Sequence, residues 1–220
     1  MIEMVKVNGK LIRRKLYLIV DTETFGGFDS PICYDVGLAV IDKTGKVYAK
    51  YSFVVHDTFI GMAEEAATAY YAEKFPQYHK DIREGKRKLL PFSIIRQVAN
   101  QLLEKYQIVD VIAHNAKFDC TSLNNTAKLF GYTSFFSSYI EWWDTLQMVA
   151  DTIAQQKLYK EFCKTNGYIF IWCLSSPYSC IRRRETLCIL LITFLKAQPR
   201  PDAWMIHQSC SSMLILLLKE

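Results

Sequence analysis

A chain of 220 residues, half of them hydrophobic, is long enough for one ordinary domain with a sizeable core. Twenty-seven Lys and Arg against 22 Asp and Glu leave a formal charge of +5, modest overall but with room for a local basic face at Lys86-Arg87-Lys88 or Arg13-Arg14-Lys15. No secretory apolar core follows the first fifteen residues, and the late apolar run Thr186 to Leu195 is shorter than the about 20 residues a membrane span needs. The seven cysteines show no C-x-x-C and no zinc-site spacing, so the expectation is a protein of the reducing cytoplasm with no membrane span.

Residues 1 to 14 read as a polar leader or a first extended segment turning at Asn8-Gly9. The apolar run Leu16-Tyr17-Leu18-Ile19-Val20 predicts a buried strand over Lys15 to Thr22, ending in Asp21-Thr22-Glu23. Alternation puts Asp21 and Glu23 on one side of that strand, where both can bind one divalent cation; taken alone, the pair reads more readily as a solvated strand-to-loop turn. Strands Ile32 to Asp42 and Val47 to Val55, joined through Lys43-Thr44-Gly45-Lys46, complete an antiparallel meander. Asp57 to Lys88 is polar and aromatic, helical over Met62 to Ala72, and lacks the apolar period of a core element, which makes it a cover segment.

The strongest helix is Pro91 to Tyr106, with a stripe at Ile94, Ile95, Val98, Leu102 and Leu103. A strand over Ile108 to Ala113 follows, then a helix from Ala116 to Phe130 that Gly131 ends and that carries Asp119 in its first turn. Glu141 to Asp144 reads as a short strand, Asp144 as the N-cap of a helix from Leu146 to Ile153, and Leu158 to Asn166 as a last helix closed by Gly167.

Val20-Asp21-Thr22-Glu23-Thr24, followed about a hundred residues later by Ala113-His114-Asn115-Ala116-Lys117-Phe118-Asp119, resembles the DEDD superfamily of 3′–5′ exonucleases. That superfamily includes the proofreading epsilon subunit of bacterial replicative polymerases, ribonuclease T and oligoribonuclease. The resemblance implies a ribonuclease-H-like α/β fold, a mixed sheet with three antiparallel strands and then parallel ones, flanked by helices. It implies Asp21, Glu23 and Asp119 as catalytic ligands of two divalent cations, Mg²⁺ or Mn²⁺, gathered at neighbouring strand tips. Thr22, Thr24, Phe25, His114, Asn115 and Phe118 would lie on the substrate side, with His114 and Asn115 fixing the loop and Phe118 beside the terminal base. Phe25 suits base stacking, or else Phe25 or Phe28 closes the core. Tyr70, Tyr71 and Tyr78, with Lys74 and Lys80, would line a strand groove or pack one face of a surface helix. The implied reaction is phosphodiester hydrolysis at a single-stranded or frayed DNA 3′ end, with release of nucleoside monophosphates and a replicative DNA polymerase as a partner. The segment Asp57 to Lys88 is similar to phage-encoded members.

The chain departs from the family after Asp119. Neither Y-x-x-x-D nor H-x-x-x-x-D recurs there, so the fourth carboxylate and the general base are missing. From Ile169 onward there are three acids (Glu185, Asp202, Glu220), no glycine and four of the seven cysteines. Residues 1–168 thus read as an exonuclease domain without its last motif, and 169–220 as a divergent or frame-shifted tail. A one-base shift across Trp204-Met205-Ile206 would yield Asp-Asp. Two alternatives to a DNA exonuclease stay open: an inactive nucleic-acid or polymerase-binding module of the same fold, and an RNA 3′-end processing enzyme.

Overall fold

The computed structural model describes residues 4–7, 10–27 and 29–152, together with positions 157, 158, 161 and 165. Contacts divide the chain into two units, Met1–Thr145 and Leu146–Glu220. In the first, β1 (Met4–Val7) and β2 (Lys10–Arg13) pair antiparallel with Val7 opposite Lys10, the hairpin that an Asn-Gly connection favours. Asn8, Gly9 and Phe28 lie outside the described residues, as does everything from Ile169 onward; the predicted helix Leu158 to Asn166 is described at positions 158, 161 and 165 alone.

The main sheet is built on the meander β3 (Leu16–Phe25), β4 (Ile32–Asp42) and β5 (Val47–Val55), antiparallel as the sequence predicts. To it are added β6 (Lys88–Leu90), parallel to β5; β7 (Asp110–Ala113), parallel to β3; and β8 (Glu141–Asp144), parallel to β7. The order is β6-β5-β4-β3-β7-β8. Around it lie α1 (His56–Phe59), α2 (Ala63–Ala66), a single 3₁₀ turn at Ala72–Lys74, α3 (Phe75–Arg83), α4 (Phe92–Tyr106) and α5 (Ala116–Leu129); the second unit contributes α6, which opens at Thr145 and runs to Thr152. This is the ribonuclease-H-like α/β arrangement, a mixed sheet flanked by helices. Among the described residues, no helix is long and apolar enough to cross a membrane.

The sheet buries both faces, because β3 and β4 carry apolar side chains at successive positions. On one face Leu18, Val20, Val36, Leu38 and Phe53 meet Phe92, Ile95, Ala99, Leu102 and Leu103 of α4 and Leu123 and Ala127 of α5. Ile94, predicted in the α4 stripe, is 41% exposed, and Phe92 takes its place in the core. On the other face Phe25, Tyr34 and Val54 meet Phe59, Ala66, Ala69 and Tyr78. The cover segment is therefore a core element, contrary to its reading from the sequence. Its period is hidden because several short pieces each bury only one or two residues. The predicted helix over Met62 to Ala72 is the four-residue α2 followed by turns, while α3 and β6 were not foreseen.

The far end of the meander, away from Phe25, is pinned by Asp42, which is 2% exposed. Its carboxylate accepts from the Thr44 N–H (2.8 Å) and hydroxyl (2.6 Å), from Arg14 Nη1 (2.6 Å) and from the Lys46 N–H (3.2 Å). Burial pushes the group up, but the Thr44, Arg14 and Lys46 hydrogen bonds outweigh it and hold Asp42 well below the usual carboxylate range. A lowered folded pKa contributes stability above the unfolded value and loses it as pH falls towards the folded one. Asp42→Ala should cost about 2–3 kcal/mol at neutral pH. In urea titrations that difference should hold down to about pH 4 and shrink below it.

Candidate active site

β3 and β7 run side by side only at Leu18↔Val111 and Ile19↔Ile112. Past Ile19, β3 continues with β4 as its ladder partner through Phe25, three residues beyond the predicted end, with a register shift between Glu23 and Thr24. The tip of β3 therefore stands where β7 turns away into α5. Gly26, at φ +87°, bends the chain off this tip; a Cβ there would lie 2.8 Å from the Ser30 carbonyl oxygen.

Along the tip Asp21 is exposed, Thr22 buried and Glu23 half-buried. Alternation turns Thr22 towards the α4/α5 face and Asp21 and Glu23 towards the α1–α3 face. Asp21 pairs across the strands with Gly37, which has no side chain to crowd it, and Glu23 pairs with Asp35. Burial first, then the charges of Asp21 and Asp35, push the Glu23 carboxyl up to about 8, while Lys74 and Arg87 pull it back.

On the opposite face Asp119, 4% exposed in the first turn of α5, accepts a hydrogen bond from the Thr22 hydroxyl at 2.9 Å. Thr22 Oγ1 also lies 3.0 Å from Ser122 Oγ. The corner that delivers α5 is fixed by two further bonds. His114 Nδ1 lies 3.1 Å from Thr145 Oγ1, and the Asn115 N–H donates to Asp144 Oδ1 at 3.0 Å. Asn115 itself takes the left-handed conformation, φ 65°, which Asn tolerates better than most residues. Phe118 and Thr24 are half-buried.

The structure thus joins Asp119 to the residue between the two strand acids, but on the other side of the strand. Among the described residues, no group of three or more His, Cys, Asp or Glu is placed to hold a metal ion. Of the three acids expected to share a cation pocket, Asp21 and Glu23 lie on the β3 tip and Asp119 is bonded to Thr22 between them. The donor chemistry of Asp21 and Glu23 fits a hard divalent ion, whose binding would relieve their mutual repulsion. Of the two readings left open for Phe25, the structure shows the second. It is 4% exposed and packed in the second core cluster, so it closes the core rather than offering a free ring.

One residue beside the site, Asp35, was missed from the sequence, and its partners Tyr78 and Arg87 were read there in other roles. Asp35, 6% exposed, accepts from Tyr78 Oη at 2.7 Å and pairs with Arg87. The available signal was an acid inside the apolar run Ile32-Cys33-Tyr34-Asp35-Val36, where a strand seldom buries a charge without a partner. The Thr22 bond carries its own expectation. Thr22→Val removes one donor from a buried carboxylate and should lower stability by about 1–3 kcal/mol in urea denaturation.

No family model matches the chain, and no curated protein sequence matches it. Solved structures do. Escherichia coli exonuclease I in a metal-free complex with single-stranded DNA superposes with a TM-score of 0.41 at 14% identity, over 71% of this chain and 36% of that one. A product-bound exonuclease I gives 0.42 at 13% identity over 82% and 44%, and the zinc-bound E. coli complex gives 0.41 at 16% over 92% and 45%. The chain spans less than half the length of these structures.

Proposed function

We propose that this chain is a divalent-metal-dependent 3′–5′ exonuclease that removes nucleoside monophosphates from single-stranded or frayed DNA 3′ ends. The observation that carries the reading is the bond from Thr22 to Asp119, which ties two acidic motifs to one strand tip although 97 residues separate its ends. Asp21 and Glu23 are the residues that would hold the ion, Mg²⁺ or Mn²⁺ by their hard oxygen donors. When bound, a divalent cation supplies Lewis-acid chemistry, acidifying a water and neutralising charge on the departing oxygen. The protein's own groups do the positioning. Thr22 orients Asp119, and the His114–Thr145 and Asn115–Asp144 contacts hold the corner from which α5 departs. A replicative DNA polymerase is the partner this reading implies.

A second reading, a nucleic-acid-binding module without catalysis, is favoured by the sequence after Asp119, which carries neither Y-x-x-x-D nor H-x-x-x-x-D. An oligodeoxynucleotide labelled at its 3′ end, incubated with the purified chain and Mn²⁺, decides between them. Labelled mononucleotide released by the wild type and not by Asp21→Ala supports the enzyme; binding without release overturns it in favour of the module. A ribo-oligonucleotide of the same sequence tests the RNA alternative.

A further inference from the structure

The α1–α3 segment buries Phe59, Ala66, Ala69 and Tyr78 against the sheet, and packing accounts for those positions. It does not account for Tyr70, an aromatic side chain left 54% exposed between them. The Tyr70 ring stands edge-on to Tyr71, with centroids 4.7 Å apart and planes at 79°. Lys74 Nζ lies 3.7 Å from the centroid of the Tyr71 ring. The segment that carries this cluster packs Ala66 and Ala69 into the same core cluster as Phe25, two residues beyond Glu23, so the cluster and the acid pair share one face of the sheet. A tyrosine pair with an ammonium over it offers two things a flexible polynucleotide strand needs: a flat apolar face and a cation for a phosphate. Glu64, Glu65 and Glu73 lie in the same stretch of chain, so stacking rather than net charge supplies most of the attraction.

We infer that Tyr70, Tyr71 and Lys74 form a binding surface for single-stranded nucleic acid, with a base stacked on Tyr70 and a backbone phosphate at Lys74. The inference deepens the exonuclease reading by naming how the strand is held beside the acids. It is tested without catalysis, so the two can fail separately.

The experiment is fluorescence anisotropy of labelled oligo(dT), with a ribo-oligonucleotide and a duplex as parallel arms, titrated with the full chain in chelator at several salt concentrations. Tyr70→Ala should weaken oligo(dT) binding about tenfold, as expected for loss of one stacked base, and Tyr70→Phe should restore it. Lys74→Ala should flatten the slope of log Kd against log salt by about 0.7, the share of one phosphate contact on a single strand. Lys46→Ala is the control, because Lys46 sits over Tyr48 at the other end of the meander and should change neither quantity. Unchanged melting of Tyr70→Ala separates lost binding from lost folding. Wild-type affinity in Tyr70→Ala, duplex bound as tightly as single strand, or no binding by the wild type would each overturn the inference. Loss of mononucleotide release with binding intact would count against the exonuclease reading alone.

Discussion

Asp21→Ala should cut mononucleotide release on the order of a thousandfold while raising the melting temperature of the chain in chelator. The first half follows from what a lost ligand removes. Metal-assisted charge stabilisation is worth several kcal/mol, and each about 1.4 kcal/mol is tenfold in rate. The second half follows from electrostatics in the absence of metal. Asp21 is exposed, so its truncation sacrifices little packing. After burial, its charge is the largest cause of the rise of Glu23 to about 8. A carboxyl whose folded pKa lies above its unfolded value keeps a proton in the native state that the unfolded chain releases. Stability therefore falls as pH rises from about 4.5 towards 8. Removing Asp21 narrows that window. The mutant and wild type should melt together below about pH 4.5, with the mutant ahead by a growing margin towards pH 8. A pH series of thermal melts reads the sign directly. Mn²⁺ should raise the melting temperature of the wild type and leave Asp21→Ala unmoved. A mutant that still releases mononucleotides would remove the catalytic role from this strand tip.

The elements that carry the sheet were legible because each is a run of one period. Leu16 to Val20 and Ile32 to Asp42 are too apolar to be anything but buried strands, and Gly131 marks where α5 stops. Legibility failed where burial is piecemeal. Phe59, Ala66, Ala69 and Tyr78 belong to different short pieces and share no period, yet they form one cluster. The same limit governs the site. Alternation says correctly that Asp21 and Glu23 share a face and that Thr22 does not. Which face α5 covers depends on tertiary packing, and that packing decides which residue Asp119 meets. Phe25 follows the same logic: two residues beyond Glu23 it shares the face of the strand acids, and that face is floored by the α1–α3 segment rather than open to solvent.

That floor is where the largest loss of stability is expected. Arg87 pairs with Asp35, lies 3.6 Å from Asp81, donates to Ser52 Oγ at 3.1 Å and stacks its guanidinium 4.3 Å from the centroid of the Tyr78 ring. Removing one partner of a buried ion pair costs about 3–5 kcal/mol, because the other charge stays out of water without its counter-ion. Arg87→Met keeps much of the stem's volume and discards the charge, so its cost should be of that size, a fall in melting temperature on the order of 10 °C for a unit of this length. The double substitution Arg87→Met with Asp35→Asn should recover part of the loss, since no buried carboxylate is then left behind. Its excess over additivity in a double-mutant cycle measures the pair. A simple packing role for Arg87 predicts additive effects instead. The single mutant should also lose further stability as pH rises from about 5 to 8, because Arg87 is one of the two cations that pull Glu23 back from its raised value. A basic residue that the sequence offers as part of a local basic face thereby acts on both the second core and the acid pair.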